Sequence, residues 1–408
     1  MRILVYPHAM EIGGSQLNAV ELAAAVRGLG HEVAVVSEPG PLVERVTAAG
    51  IEHVPLPADR RRPSPSTVRL LRGLAERRGF DVVHGYEWPP GIEAFHAMRG
   101  RRGAAAVCTV MSMSVAPFLP PALPLVVGTE EIRRTVLERR GGRPGAVHLI
   151  EPPVDVAANA PDHPADGFRE RFDLTGDALD VVVVSRLVPE LKLEGILTAI
   201  EVVSRLSAEL PLRLVIVGDG PSRGEVEARA AAANERAGRR TVVVTGPLDD
   251  PRPAYAAASI ALGMGGSALR ALAFGRPLIV QGERGFFELL TPESSGTFLG
   301  QGWYGVGGTG AAALEGALRE LAREPGRRKE LGDYGRRLVV ERFSLERAAR
   351  VQETIYREAL AASGAPARRD ALASAGGVLA YKVARRWQRL RGTAARDDFN
   401  AVAPRKPA

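Results

Sequence analysis

The sequence has little of several features that would narrow its class. It contains one cysteine, Cys108, so no disulfide can form within the chain, which is typical of a cytosolic protein. The opening segment has an apolar run of only four residues before Pro7, too short for a signal peptide. Residues 104–129 carry no charge, but several prolines interrupt them, so we expect strands around a loop there and not a membrane span. We therefore expect a cytoplasmic protein.

Lysine is also scarce. Four of the 54 basic residues are lysine, a bias that, with 45 glycines, is typical of a GC-rich bacterial genome. The net charge of +7 comes entirely from residues 363–408, which hold ten basic and three acidic residues. Because residues 1–362 are electrically balanced, we expect no nucleic-acid partner.

Short apolar runs that alternate with helical patterns make up most of the chain. RILVY, HEVAVVS and DVVHGY form a first series, and DVVVVSRL, LRLVIVGDGP, RTVVVTG and PLIVQG form a second. Such alternation predicts an α/β fold class with two doubly wound parallel sheets. The Pro-rich and Asp-rich segment 151–168 is predicted to link them. We predict two domains, a C-terminal helix returning toward the first domain and a basic tail, at 1–165, 166–345, 346–362 and 363–408.

Two cations follow the first strand of the second series. Arg186 comes directly after DVVVVS, and Lys192, one of the four lysines, lies six residues further on. Ligands of parallel sheets bind at the carboxyl ends of the strands, where a guanidinium and an ammonium can hold two phosphate groups. The alternative is a solvated charge pair at a helix start, which the helix dipole disfavours by roughly 0.3–1 kcal/mol.

Three glycine-containing turns are placed at strand ends. Residues 13–15, 218–221 and 263–268 each follow an apolar run, and the first and last precede a helix. Glycine lets the backbone approach a ligand, and the amides at a helix N-terminus favour an anion. Plain structural turns remain an alternative for the first two. The residues that we expect to contact a ligand are Gly13, Gly14, Gly218, Gly265, Gly266, Ser267 and Ala268.

Together these motifs resemble the family 4 retaining glycosyltransferases (glycosyl transferases group 1), which have the GT-B fold. The resemblance covers about residues 1–361 and rests on the GGS turn, DVVHGY, EPPVD, SRLVPELK, GDGP, VVVTGPLDD, the last glycine turn with ALAFGRPLIV, and ERFSLERAA. It implies two Rossmann-like domains facing across a cleft. It also implies a nucleoside-diphosphate sugar (UDP- or GDP-) bound mainly to the second domain and a hydroxyl acceptor bound mainly to the first.

The resemblance implies a role for each matching residue. Arg186 and Lys192 would hold the diphosphate, Gly14 would approach the donor, and His84 would lie near the donor sugar. The amides of residues 265–268 would neutralise the leaving diphosphate. The family implies transfer with retention, without a metal or another cofactor, and with the acceptor proton passing to a phosphate oxygen. For His84, a satisfied histidine at a strand end remains the alternative.

One position departs from the family pattern. The family usually carries two glutamates around the last glycine turn, and the second accepts hydrogen bonds from the ribose; here the two positions are Leu262 and Arg270. Because arginine cannot accept hydrogen bonds, we expect another acceptor, Glu288 or Glu283, to hold the ribose. An unusual donor nucleotide and a weakened or inactive transferase remain open.

The resemblance favours transfer of a sugar to a lipid-linked, cell-surface or secondary-metabolite acceptor, and two other functions are alternatives to it. A non-catalytic GT-B protein is supported by Arg270. A nucleotide-sugar epimerase would need acidic and histidine residues around the sugar, and the motifs offer His84 and Glu87.

The basic tail contains a predicted amphipathic helix. Apolar residues recur on one face and cations at i, i+3, i+4 and i+7 on another, over residues 371–391. The apolar residues are Leu372, Leu379, Val383, Trp387 and Leu390, and the cations are Lys382, Arg385, Arg386 and Arg389. Such a helix is expected either at the inner face of a membrane or docked on the protein body or a partner.

Overall fold

The chain divides into two compact units. A computed structural model describes residues 1–57, 62–112, 114–140, 147–363 and 368–391. Unit 1 comprises Met1–Pro152 with the described part of Leu345–Ala408, and unit 2 comprises Pro153–Ser344. Of the predicted tail at 363–408, residues 364–367 and 392–408 lie outside the described residues.

Unit 1 contains a seven-stranded parallel sheet. Its strand order is β3-β2-β1-β4-β5-β6-β7, so the order reverses between β1 and β4. The strands are β1 (Arg2–Tyr6), β2 (Glu32–Ser37), β3 (Glu52–Pro55), β4 (Val82–Tyr86), β5 (Ala105–Val110), β6 (Leu125–Val127) and β7 (Val147–Leu149). Buried on both faces, they are mostly continuous apolar runs, as expected for parallel strands.

Unit 2 contains a six-stranded sheet with the order β10-β9-β8-β11-β12-β13, and its order reverses between β8 and β11. The last strand is antiparallel to β12, whereas the sequence pattern predicted a wholly parallel sheet. The strands are β8 (Leu179–Val184), β9 (Leu212–Val217), β10 (Val242–Gly246), β11 (Ile260–Gly263), β12 (Leu278–Gln281) and β13 (Phe287–Leu289). Only a short turn separates β12 from β13, too short for the crossover that a parallel pair needs.

Helices cover both faces of each sheet. Unit 1 begins with α1 (Gly14–Gly28), α2 (Leu42–Ala48), α3 (Pro65–Arg78), α4 (Trp88–Met98) and α5 (Glu130–Arg139). Unit 2 has α6 (Asp166–Arg171), α7 (Glu194–Leu206), α8 (Arg223–Ala237), α9 (Arg252–Ala257), α10 (Gly266–Ala273), α11 (Ser295–Gln301), α12 (Ala311–Arg323) and α13 (Pro325–Arg342). The chain then returns to unit 1 with α14 (Leu345–Ala361) and α15 (Arg368–Leu390). No helix within the described ranges is long and apolar enough to cross a bilayer.

The unit boundary differs from the predicted one. Val154 and Val156 pack in a core of unit 2 together with residues of α10 and α13, so the division falls before them and not near residue 165. The helix predicted at 346–362 is α14, whose Ile355 and Tyr356 are buried against the sheet of unit 1.

Candidate functional site

The switch point of unit 2 gathers the residues that the sequence singled out there. Arg186 follows β8, and the glycine turn at 263–268 follows β11, the strand next to β8 in the sheet. Ligands of doubly wound sheets bind in the crevice where the strand order reverses. Chain topology therefore puts the two strongest sequence motifs of this unit at one place.

The loops after β8 and β9 are packed directly against each other. Leu187 N–H donates to the Asp219 carbonyl over 2.8 Å, and Ser222 N–H donates to the Leu187 carbonyl over 2.9 Å. A Cβ on Gly218 would overlap the carbonyl oxygen of Ser185, and Gly218 has φ +145°. This glycine is therefore needed for the loops to approach, and its predicted contact with a ligand stays a prediction.

Arg186 and Lys192 form a pair of uncompensated cations. Arg186 is exposed and Lys192 is half-buried, and within the described residues neither has an acidic partner. Burial, and then the charge of Arg186, lowers the pKa of Lys192 to about 8. Like charges that lack a counter-charge raise the free energy of the empty site, and a bound anion relieves that repulsion. The pair is suited to a polyanion such as a diphosphate.

An irregular turn positions Lys192. Residues 189–193 contain Leu191 at φ +65° with Glu190 in an extended conformation, and α7 starts directly after them at Glu194. The Glu194 carboxylate accepts hydrogen bonds from Arg284 N–H at 2.9 Å and from Gly285 N–H at 2.7 Å. The turn that carries Lys192 is thereby fixed to the loop between β12 and β13.

The start of α10 offers free backbone donors. Its N-cap is Gly265 at φ +57°, no side chain caps it, and its first turn has no acidic residue. The Gly265 N–H itself donates to the Trp303 carbonyl over 2.6 Å, so of the amides predicted to meet the diphosphate this one is already taken. The Ser267 hydroxyl donates to the Met264 carbonyl over 2.9 Å and stabilises the turn. Because the first amides of a helix have no intrahelical acceptor, those of Gly266 and Ala268 favour an anion.

Arg270 adds to the positive charge of the same turn. Its guanidinium lies 3.7 Å from the place where a Cβ on Gly266 would stand, so the side chain extends back toward the helix N-terminus. It also lies near enough to Tyr255 for its charge to affect that hydroxyl. A cation here opposes the helix dipole but would complement a bound diphosphate.

The two glutamates expected to hold a ribose differ in their surroundings. Glu288 lies on β13, flanked by Phe287 and Leu289, which pack on the α7 side of the sheet. Because strand side chains alternate, Glu288 points to the face that α10 covers. Glu283 is tied by its backbone to Gly305 and Gly307. Contact of either glutamate with a ribose stays a prediction.

Unit 1 places the other glycine turn at its own switch point. Gly13 is the N-cap of α1, and a Cβ on it would clash with the Gln16 side-chain oxygen. A Cβ on Gly14 would meet nothing within 4 Å. The α1 terminus has no side-chain cap and no acidic residue in its first turn. Gly14 thus leaves open space at the start of the helix, and its predicted contact with a ligand stays a prediction.

Glu87 anchors this turn and was not singled out as a site residue. It follows β4 at φ +69°, is buried, and accepts hydrogen bonds from the Ser15 hydroxyl at 3.1 Å, Met111 N–H at 3.0 Å and the Ser112 hydroxyl at 2.9 Å. Burial raises the pKa of its carboxyl, and these donors partly offset that rise. Strained backbone of this kind clusters at functional sites, but φ is not readable from the sequence.

His84 is enclosed within unit 1. It is 0% exposed, its Nδ1 is 2.6 Å from the Tyr356 hydroxyl, and its Nε2 is 2.7 Å from Thr109 Oγ1. Burial lowers its pKa to about 3, so the ring is neutral. With both nitrogens satisfied inside unit 1, His84 fits the alternative of a structural histidine at a strand end, and its place near the donor sugar stays a prediction.

Comparison with known proteins settles the family. Residues 178–322 match the model of "Glycosyl transferases group 1", and residues 12–158 match that of "Glycosyltransferase Family 4". The chain belongs to this family of glycosyltransferases. Within the described residues, no group of three or more His, Cys, Asp or Glu is placed to hold a metal ion.

Individual relatives agree with that assignment. D-inositol 3-phosphate glycosyltransferase of Kineococcus radiotolerans is 27% identical over 264 residues, 54% of this chain and 59% of that protein. The chain thus spans well under two thirds of that relative. A glycosyltransferase of Rickettsia africae has a TM-score of 0.73 at 17% identity, covering 89% of this chain and 99% of its own. HepE of Anabaena, solved in complex with UDP, has a TM-score of 0.66 at 14% identity, and the match covers 88% of this chain and 100% of the HepE chain. These structures establish the GT-B fold.

Proposed function

We propose that the protein is a retaining glycosyltransferase that uses a UDP- or GDP-sugar. The acceptor is a hydroxyl of a lipid-linked, cell-surface or secondary-metabolite molecule. The observation that carries the proposal is the uncompensated cation pair of Arg186 and Lys192 at the switch point of unit 2. Family membership and the UDP bound by HepE support it.

The residues of unit 2 would act on the leaving group. The bond between the anomeric carbon and the diphosphate oxygen breaks, and its electron pair leaves with the diphosphate. Arg186, Lys192 and the α10 amides stabilise that negative charge. One such stabilising donor contributes about 10²–10³ in rate in other enzymes. The acceptor oxygen bonds to the anomeric carbon on the face that the diphosphate leaves, and its proton passes to a diphosphate oxygen.

Unit 1 would hold the acceptor. Gly14, which the family resemblance assigns to the donor, faces open space at the carboxyl edge of the unit 1 sheet, and Glu87 fixes its turn through Ser15. A turn held from a buried carboxylate keeps its geometry when ligands bind. Positioning of this kind supplies much of the rate in group transfer.

We further propose that the reaction needs no metal ion, because side-chain cations and helix amides supply the positive charge at the diphosphate. Activity is then expected to be the same in EDTA as in Mg²⁺. A loss of activity in EDTA that Mg²⁺ restores would contradict this part of the proposal.

Glu288 is our candidate for the ribose, because it lies on the sheet face that α10 covers. Glu288→Gln is expected to weaken binding of UDP about tenfold, the loss of a charge-assisted hydrogen bond. Glu283→Gln is the matched control and is expected to leave the dissociation constant unchanged. The reverse order of effects would assign the ribose to Glu283.

Arg270 supports a second candidate, a protein that binds a donor nucleotide without transferring its sugar. The two functions are separated by Arg270→Glu, which places the family's usual residue at this position. Transfer or donor hydrolysis that appears only in this variant would identify the native protein as the non-catalytic form. A native protein that already turns over and loses donor affinity in the variant supports the transferase.

The experiment that tests the proposal is a screen of nucleotide sugars by thermal shift, followed by calorimetry. A ligand that binds only the folded state raises the melting temperature. We expect a UDP- or GDP-sugar to do so in the native protein and not in Lys192→Ala. Lys329→Ala is the control, because Lys329 is exposed on α13 and pairs with Asp333 at 2.6 Å. The proposal fails if no nucleotide sugar binds.

A further inference from the structure

Helix α15 has two apolar faces, and in the part of the chain that the structure describes only one of them is docked. Ala371 and Val378 are buried in the core of unit 1, and Gly377 lies against Phe118. Tyr381 continues this face, with its ring centroid 5.5 Å from that of Trp88 and 5.4 Å from that of Phe118. The helix is thus held on unit 1 by its smaller apolar residues.

The larger apolar residues lie on the opposite face. Leu372, Leu379, Val383, Trp387 and Leu390 are 75%, 65%, 49%, 58% and 75% exposed. In an α-helix, residues at these spacings form one stripe, about 27 Å long. They are five of the eight large apolar side chains that are exposed in the described part of the chain. A soluble protein rarely exposes such a stripe unless something binds to it.

Basic residues flank this outward stripe. Between residues 368 and 391 there are seven basic residues and one acidic residue, Asp370, whose carboxylate accepts a hydrogen bond from Ala122 N–H at 2.9 Å. Lys382 and Arg386 are exposed along the stripe, and the Arg391 guanidinium lies 5.7 Å from the centroid of the Trp387 ring. A large apolar stripe with a tryptophan and cationic borders is the composition that lies in an anionic lipid surface.

We propose that the outward stripe of α15 inserts into an anionic membrane surface while the docked face keeps the helix on unit 1. The stripe is a ridge on a single helix, so it fits a flat apolar medium that side chains can enter. Its charge complements anionic headgroups. Aliphatic side chains, Trp387 and the arginine stems would enter the acyl boundary, with the guanidinium groups at the headgroups.

The direction of α15 determines which edge of unit 1 would meet the membrane. Near its start, Asp370 contacts Ala122, just before β6 begins. Further along, Tyr381 contacts Trp88, directly after the end of β4. Lys382 Nζ donates to the Pro63 carbonyl over 3.3 Å, in the connection that follows β3. The tryptophan-bearing end therefore lies at the carboxyl edge of the sheet. If the acceptor site lies there, which rests on the proposed function, the membrane would be next to it.

The test is binding of the full chain to vesicles of phosphatidylcholine with and without phosphatidylglycerol, measured by cosedimentation. We expect binding to anionic vesicles that weakens at high salt and is absent from neutral ones. Trp387→Ala with Leu390→Ser is expected to reduce the partition coefficient about tenfold or more, because it removes apolar area from the stripe. Arg386→Glu is expected to reduce it about tenfold.

Val340→Ser is the matched control, because Val340 is an exposed apolar residue outside the stripe, on α13 of unit 2. It should bind vesicles like the native chain. All substituted positions are exposed, so melting temperatures should stay unchanged. Equal binding of the native chain and the stripe variant, or no binding to anionic vesicles, overturns the proposal. So does a dimer in sedimentation velocity that Leu379→Gln dissociates, because a second copy then covers the stripe.

Vesicle binding and donor binding fail independently. If the chain binds anionic vesicles but no nucleotide sugar, the membrane inference is supported and the proposed function is contradicted. If the chain binds UDP but not vesicles, the proposed function is supported and the membrane inference is contradicted.

Discussion

The polar groups near the two sheet switch points differ in whether they have partners within the protein. In unit 1, His84 and Glu87 are buried and every hydrogen-bonding role is filled from within the unit, by Tyr356, Thr109, Ser15, Met111 and Ser112. In unit 2, Arg186 and Lys192 stand after the first strand without an acidic partner among the described residues. The topology is similar, but the electrostatics differ.

This difference separates residues that stabilise the fold from residues that can bind a ligand. A satisfied buried group stabilises the fold and has nothing left to offer a ligand. An uncompensated charge costs free energy in the empty protein, and a ligand recovers that cost on binding. These unmet charges are the reason for the proposal that unit 2 binds the donor, and in unit 1 only the open surface at Gly14 is proposed to meet a ligand.

Lys192→Ala should produce the largest effect and would sharpen the comparison most. It removes one of the two charges that we propose hold the diphosphate, so we expect kcat/KM to fall by about 10² or more. The measurement is steady-state transfer from the donor that the thermal-shift screen identifies. Lys329→Ala, which removes a paired and exposed lysine, should change the rate by less than twofold. Equal effects of the two substitutions would remove the distinction between the units.

Glu87→Gln should test the supporting role assigned to unit 1. The amide keeps one acceptor oxygen, so at least one of the donors from Ser15, Met111 and Ser112 loses its partner inside the protein. We expect the free energy of unfolding to fall by roughly 1–3 kcal/mol in urea denaturation. Glu138→Gln, at an exposed position of α5, is the control and should be neutral. A stability equal to that of the native chain would show that Glu87 is not a structural anchor.

The pH dependence of donor binding should distinguish the units in the native protein. Lys192 with a pKa of about 8 is charged below that pH and loses its charge above it. Donor affinity should therefore fall about tenfold between pH 7 and pH 9. Titration calorimetry of UDP at several pH values measures this. A flat profile in that range would mean that an ordinary lysine, or another group, holds the diphosphate.

His84→Gln should have the smallest effect on chemistry. Because both ring nitrogens are bound inside unit 1, the substitution is expected to lower the melting temperature and to leave kcat/KM within about threefold of the native value. Measuring the melting temperature and kcat/KM on one sample of the variant separates a structural role from a catalytic one. A rate loss as large as that of Lys192→Ala, at unchanged stability, would instead support a place for His84 near the donor sugar.

Sequence patterns predicted the features that depend on residues close together in the sequence. Alternating apolar runs predicted both sheets, and the glycine turns and Arg186 follow strands as expected, with Lys192 in the turn that leads into α7. The stripe of α15 from Leu372 to Leu390 also forms the single face that helical spacing predicted.

Features that depend on distant residues were missed. His84 is satisfied by Tyr356, 272 positions away, so its burial could not be read from DVVHGY. The positive φ of Glu87 and the hydrogen bonds from the backbone of residues 284–285 to Glu194 depend on tertiary packing. Docking of α15 on the protein body was one of the alternatives left open. The face that docks, with Ala371 and Val378, was missed because small residues give a weak amphipathic signal beside larger ones.

The measurement that tests the central claim most directly is the proton uptake on binding of UDP at pH 8, from calorimetry in buffers of different ionisation enthalpy. A diphosphate bound by Arg186 and Lys192 should raise the pKa of Lys192 from about 8, so the complex should take up close to half a proton. Lys192→Ala should abolish that uptake and Lys329→Ala should retain it. No uptake in the native protein, or the same uptake in Lys192→Ala, would contradict the assignment of the donor to this cation pair.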